Sequence, residues 1–187
     1  MNQILKPQTS RIITQNIIYG NSSLLKILIE EQNFICAYTQ VRITSAFTVD
    51  TEHFNPTLKN TLDDTYNNWF AVSTKWNRNK GSIPKWNKFQ PIIHPTDETL
   101  EERILYNNGV YEFNDEDVHA KNLVLYLNLN QEQLVNQRIK YMAHLKFLLN
   151  TAFHNNLDEL KNYMSQENQD LIQFTRAIDS EFGILFN

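Results

Sequence analysis

Val49-Asp50-Thr51-Glu52-His53-Phe54-Asn55-Pro56 is the stretch on which the reading of this chain turns. Aromatic and β-branched residues recur from Phe47 to Phe54, which predicts an extended segment. The Asn55-Pro56 step ends it, because a residue before proline is driven out of the helical region. Side chains two apart share a face of a strand, so Asp50 falls on the face of Glu52. Phe34 to Tyr38 has the same character, and the polar residues Arg42 to Ser45 between the two segments predict that they form a hairpin.

Working outward, Thr57 to Asn67 is polar and without period, which predicts a loop of the length that often carries function. Trp69-Phe70-Ala71-Val72 returns as a strand. Ser73 or Thr74 caps a short helix bearing Lys75, Trp76, Asn77, Arg78 and Lys80, and Gly81 ends it. Upstream, Leu24, Leu25, Leu28 and Ile29 give Ser22 to Glu31 one apolar helical face. Downstream, Asn107-Asn108-Gly109 joins two weak strands, Arg103 to Tyr106 and Val110 to Phe113. From Glu116 onward helical spacing dominates, with Val118, Leu123, Leu127, Leu134, Ile139, Met142 and Leu145 as apolar positions and further helices over Leu157 to Met164 and Leu171 to Phe182. The fold class is α+β. The chain divides into an extension at 1–21, a compact module at 22–96, and a hairpin plus helical region at 97–187 packed on it.

With 187 residues, 41% hydrophobic and 20% charged, the chain has enough apolar surface for one domain with a full core. No charged leader followed by an apolar stretch opens it, and no run is long enough to cross a bilayer, so a cytoplasmic protein without membrane contact is expected. Cys36 is the single cysteine, which excludes an internal disulfide and a multi-thiolate zinc site. The formal charge of -4 argues against a uniformly basic coat for nucleic acid. Its distribution is uneven. Ala71 to Pro95 holds five cations (Lys75, Arg78, Lys80, Lys85 and Lys88) and no acid, whereas Asp97 to Asp117 holds eight acids against Arg103.

The stretch from Phe34 to Gly81 resembles the HNH endonuclease family, whose ββα-metal motif carries an acid-His pair at a strand end, an Asn before the next strand and an Asn or His in the helix. The corresponding residues are Glu52-His53, Asn68 and Asn77, with fifteen residues from His53 to Asn68 and nine more to Asn77. The resemblance implies that His53 is the general base, that Glu52 and Asn77 hold one divalent metal, Mg2+ or Mn2+, and that Asn68 orients the loop that positions His53. Such chemistry is self-consistent. Phosphodiester hydrolysis needs a deprotonated water and a cation where negative charge accumulates, and a neutral imidazole accepts a proton near pH 7. Two oxygen donors leave positions open for water and phosphate, as magnesium and manganese prefer.

Many members of the family brace this unit with two Cys-x-x-Cys zinc pairs. Here those positions read Cys36-Ala37-Tyr38-Thr39 and Ser73-Thr74-Lys75-Trp76, so no structural zinc is expected, and packing by Tyr38, Phe47, Trp69 and Trp76 is expected to replace it. Cys36 is then a small buried hydrophobe. Lys75, Arg78, Lys80, Lys85 and Lys88 are the candidates for nucleic-acid contact, and Trp86 is the tryptophan best placed by its flanking lysines to stack on a base. Pro91-Ile92-Ile93-His94-Pro95 and Asn122 to Asn130 extend the similarity to HNH proteins of bacterial anti-phage systems, including Septu-type and retron-associated ones. That implies DNA as substrate and an ATPase as partner. The alternative is a non-catalytic protein that binds nucleic acid or a partner on a degenerate HNH scaffold. Asp50 stands either as a second acid ligand or, the favoured reading, as a structural or solvent-facing residue, and His94 is read as a packed loop histidine.

Overall fold

A computed structural model describes residues 1–186. In chain order the elements are α1 (Arg11–Thr14), α2 (Leu24–Glu31), β1 (Val49–His53), β2 (Trp69–Ser73), α3 (Thr74–Lys80), α4 (Ile83–Lys88), α5 (Leu100–Arg103), β3 (Leu105–Asn107), β4 (Val110–Glu112), α6 (Val118–Tyr126), α7 (Glu132–Thr151), α8 (Leu157–Asn162) and α9 (Thr175–Phe182). The class is α+β, with two small antiparallel sheets, β1-β2 and β3-β4. Among the described residues no helix is long and apolar enough to cross a membrane.

Strand β2 organises the interior because both of its faces are covered. Its alternation sends Trp69 and Ala71 one way and Phe70 and Val72 the other. The first pair packs with Ile12, Leu24, Ile27, Leu28 and Tyr66 beneath α1 and α2. The second joins the larger core shared with Leu123, Leu134, Met142, Leu145, Ala177 and Ile178. Each large apolar side chain so buried contributes roughly 1.5–3 kcal/mol. The first residues are woven into this core: Met1 is buried in the larger cluster, and the Ile4 amide donates to the Pro95 carbonyl at 2.9 Å.

β1 pairs with β2 so that Val49 faces Ser73, Glu52 faces Phe70 and His53 faces Trp69. Helix α3 starts at the residue after β2, and Gly81 ends it with φ 85°, a conformation open to glycine at little cost. The Asn-Gly hairpin also forms, with Asn108 at φ 45° and Gly109 at φ 87° between β3 and β4.

Four sequence expectations are corrected. Phe34 to Tyr38 does not pair with β1. Ile35 bridges Arg42 instead, and residues 36–40 turn tightly, with the Gln40 amide donating to the Cys36 carbonyl at 3.0 Å. Phe47 is 49% exposed and braces nothing; Phe54 and Phe70, edge-on at 6.4 Å, fill the place beside Tyr38. Trp86 is buried edge-on against Phe54 and Tyr126, at 5.2 and 5.4 Å, so it does not offer a face to a base. The last helix starts at Thr175, because Phe174 sits in the left-handed region with φ 49° and breaks the turn from Leu171.

Candidate active site

Period two on a strand meets period three on a helix at this site. Asp50 and Glu52 are alternate residues of β1, and Thr74, Asn77 and Lys80 are successive third residues of α3, which crosses that face. The Asp50 carboxylate accepts from Thr74 Oγ1 at 2.8 Å and from Asn77 Nδ2 at 2.9 Å. One step along, Lys80 forms an ion pair with Glu52 and donates to the His53 carbonyl oxygen. Burial pulls the Lys80 ammonium down from its ordinary value. The nearby positive charge of Lys85 adds to that pull, which brings the Lys80 pKa to about 7 beside the Glu52 carboxylate.

His53 closes β1 and its side chain is buried. Nε2 lies 2.9 Å from Asp64 Oδ2, and the Tyr19 ring covers the imidazole, centroid to centroid 4.2 Å at 47°. Burial lowers the His53 pKa, and the Asp64 charge and hydrogen bond raise it in part. The net direction is downward. A neutral ring at pH 7 follows.

The loop after β1 is held by Asn68. Its Oδ1 accepts from the Asn55 amide at 2.7 Å, and its Nδ2 donates to the Asn55 carbonyl at 3.1 Å and to Asp64 Oδ1 at 3.0 Å. The Phe54 amide donates to the Asn68 carbonyl at 2.9 Å, continuing the ladder past the strand end. Trp69 Nε1 also donates to Asp64 Oδ1, at 2.7 Å.

A cleft of about 470 Å³ opens beside β1, with Tyr19, Gly20, Asn21, Asp50, Thr51 and Asn77 among its walls. Tyr19 therefore touches both this space and the His53 ring. Burial raises the Tyr19 pKa, and the Asp64 and Asp50 carboxylates add to the rise. Among the described residues no three of His, Cys, Asp and Glu converge as a metal-holding group.

The sequence-derived residues thus separate into neighbours of different kinds. Asn77 meets Asp50, while Glu52 is taken up by Lys80. Lys80 is 3% exposed and so is not a surface cation. Lys85 donates to the carbonyls of Asn79 and Tyr126, at 2.8 and 3.1 Å, and Lys75 donates to Gln133 Oε1 at 2.7 Å. Arg78 and Lys88 remain exposed. His94 is packed edge-on against Phe54 at 4.8 Å, with Nδ1 at 2.7 Å from Thr96 Oγ1. Cys36 is buried, and its sulfur accepts from the Ser73 amide at 3.4 Å.

Sequence reasoning missed two residues. Asp64 gave no periodic signal from its loop, although an acid four residues before Asn68 is the one trace it left. Tyr19 lay in a segment read as an extension. No protein-family model matches the chain, and no curated protein matches it.

Proposed function

We propose that this chain is a metal-dependent endonuclease of the HNH type, hydrolysing DNA phosphodiester bonds in bacterial anti-phage defence beside an ATPase partner. The observation that carries the reading is the contact of Asn77 on α3 with Asp50 on β1, at the wall of a cleft and three residues from His53. The motif resemblance supplies the reaction, the defence setting and the partner.

A carboxylate and a carboxamide are hard oxygen donors suited to Mg2+ or Mn2+. Asp50 and Asn77 fit that need, since a half-turn of the amide presents Asn77 Oδ1 in place of Nδ2 to the cleft. Glu52, the acid expected from the sequence, is paired with Lys80, which supports Asp50 with Asn77 as the metal-holding pair in this reading. A bound divalent ion supplies positive charge where the phosphoryl oxygens gain negative charge.

The chain's own residues do the rest. Neutral His53 takes a proton from the attacking water. Asn68 holds the loop that sets the ring, through its paired bonds to the Asn55 backbone. Arg78 and Lys88 meet phosphates without reading sequence.

Assays on plasmid, linear and single-stranded DNA and on RNA, with Mg2+ or Mn2+, test the reading. DNA cleavage that falls by at least a hundredfold in His53→Ala is expected, and cleavage unchanged by that substitution would sink it. One observation favours a non-catalytic binding protein instead: the motif's acid is engaged by a buried lysine. DNA retention without cleavage, with or without the ATPase, would establish that alternative.

A further inference from the structure

We infer that Asp64 is the positioning residue of His53, fixing its imidazole with the hydrogen on Nε2 and leaving Nδ1 as the proton acceptor. The inference rests on the reading of His53 as the base, and it concerns how that base is prepared. Its grounds are the donors that converge on one carboxylate.

Asp64 Oδ1 receives the Trp69 indole N–H at 2.7 Å and the Asn68 amide N–H at 3.0 Å. An indole nitrogen can only donate, so its partner must accept. The Asn68 amide has its orientation set independently, because its oxygen takes the Asn55 N–H and its nitrogen gives to the Asn55 carbonyl. Both donors therefore present hydrogens to a carboxylate, which is an acceptor on each of its oxygens. Oδ2 faces His53 Nε2 at 2.9 Å, and the complementary state has the hydrogen on Nε2. Nδ1 is then the ring nitrogen with a free lone pair.

The frame holding this pair is rigid. Trp69 opens β2 opposite His53 in the register, and Asn68 ties both strand ends together through the Phe54 amide and the Asn55 backbone. Side chains of His53 and Asp64 are 7% and 6% exposed, and Tyr19 lies over the ring. Water therefore does not compete for Nε2. When Nδ1 takes a proton the imidazolium stays bonded to a carboxylate, which stabilises the charge that forms.

If Asp64 were only a staple for its loop, the Asn68 and Trp69 bonds would suffice and the His53 tautomer would not depend on it. Asp64→Asn separates the two cases. Its carbonyl can still accept from Trp69 and Asn68, while its NH2 faces Nε2 and demands a lone pair there. The tautomer should invert, with the hydrogen moving to Nδ1.

The test is nitrogen-15 NMR of the imidazole in metal-free, substrate-free protein at pH 7.5. In the wild type a hydrogen on Nε2 with slow solvent exchange is expected, and in Asp64→Asn a hydrogen on Nδ1. A wild-type ring carrying its hydrogen on Nδ1 overturns the inference without any variant, and so does the same tautomer in both proteins. Cleavage assays add a second readout: kcat should fall about a hundred- to ten-thousandfold in Asp64→Asn with KM little changed. If the tautomer inverts while neither protein cuts DNA with metal present, the positioning by Asp64 stands and the endonuclease reading falls.

Discussion

Lys80, in the last turn of α3, contacts both the Glu52 carboxylate and the His53 carbonyl, so one buried ammonium ties the helix to the end of β1. Lys80→Met leaves Glu52 buried without its partner. Breaking such a pair from one side costs about 3–5 kcal/mol. Urea unfolding should register that loss, and the double variant Lys80→Met/Glu52→Met should recover much of it, since neither charge then lies unpaired. A single variant as stable as the wild type would show that the pair does not hold the helix.

Asp50 and Glu52 compete for the role of metal ligand, and their partners divide them. Manganese titration followed by electron paramagnetic resonance should show affinity lowered at least about tenfold, or 1.4 kcal/mol, in both Asp50→Asn and Asn77→Ala. Glu52→Gln should act on stability first, through the unpaired Lys80. The reverse order, with Glu52→Gln abolishing binding and Asp50→Asn leaving it intact, would return the metal to the residue named by the motif.

His94 makes stability depend on pH. Burial lowers its pKa to about 4, aided by the positive charge of Lys6 and opposed by Asp97, against an ordinary value of 6.5. The unfolded chain therefore binds the proton first as pH falls. Stability from this group is fully present above 6.5 and is lost progressively as pH drops towards 4, by at most about 3.5 kcal/mol at 1.4 kcal/mol per unit. Denaturant midpoints at pH 7.5 and 5 should differ more in the wild type than in His94→Gln. Equal slopes would remove His94 from the account.

Of the five cations from Lys75 to Lys88, Lys75, Arg78 and Lys88 are exposed, and among the described residues Arg78 and Lys88 have no side-chain partner, while Lys75 donates to Gln133. Arg78→Ala and Lys88→Ala should each lower the salt dependence of DNA binding by about one phosphate. Lys85→Ala should change it little, because that ammonium is spent on two carbonyls. DNA retention on a resin across a salt series would rank the three, and a steeper loss at Lys85 than at Arg78 would contradict the assignment.

What could be read in the sequence was what lies along the chain. The strand character of Trp69 to Val72, the Gly81 stop and the Asn-Gly turn each depend on neighbours within a few residues, and each forms. Asn77 was named from its match to the HNH motif, but its neighbour Asp50 was read as structural or solvent-facing. Pairing across the fold was not legible. Lys80 carries the same side chain as Lys88, and only the packing of α3 on β1 decides that one is buried and the other exposed. Asp64 was invisible because its three donors come from a strand end, a loop and an indole that no period relates. Trp86 misled because its flanking lysines suggested a surface, while its ring turned inward against Phe54 and Tyr126.

Arg138 is fully buried on α7, giving Nε–H to the Gly109 carbonyl and Nη2–H to the Leu129 carbonyl, each at 2.7 Å, with its guanidinium 4.6 Å from the Tyr111 ring. A Cβ on Gly109 would lie 2.7 Å from Ile139 of the same helix, so the turn and the helix are also locked by shape. The β3-β4 turn, the turn before α7 and α7 itself therefore share one anchor. Their amides should exchange with deuterium as a single cooperative unit, slower than the exposed tip around Leu62.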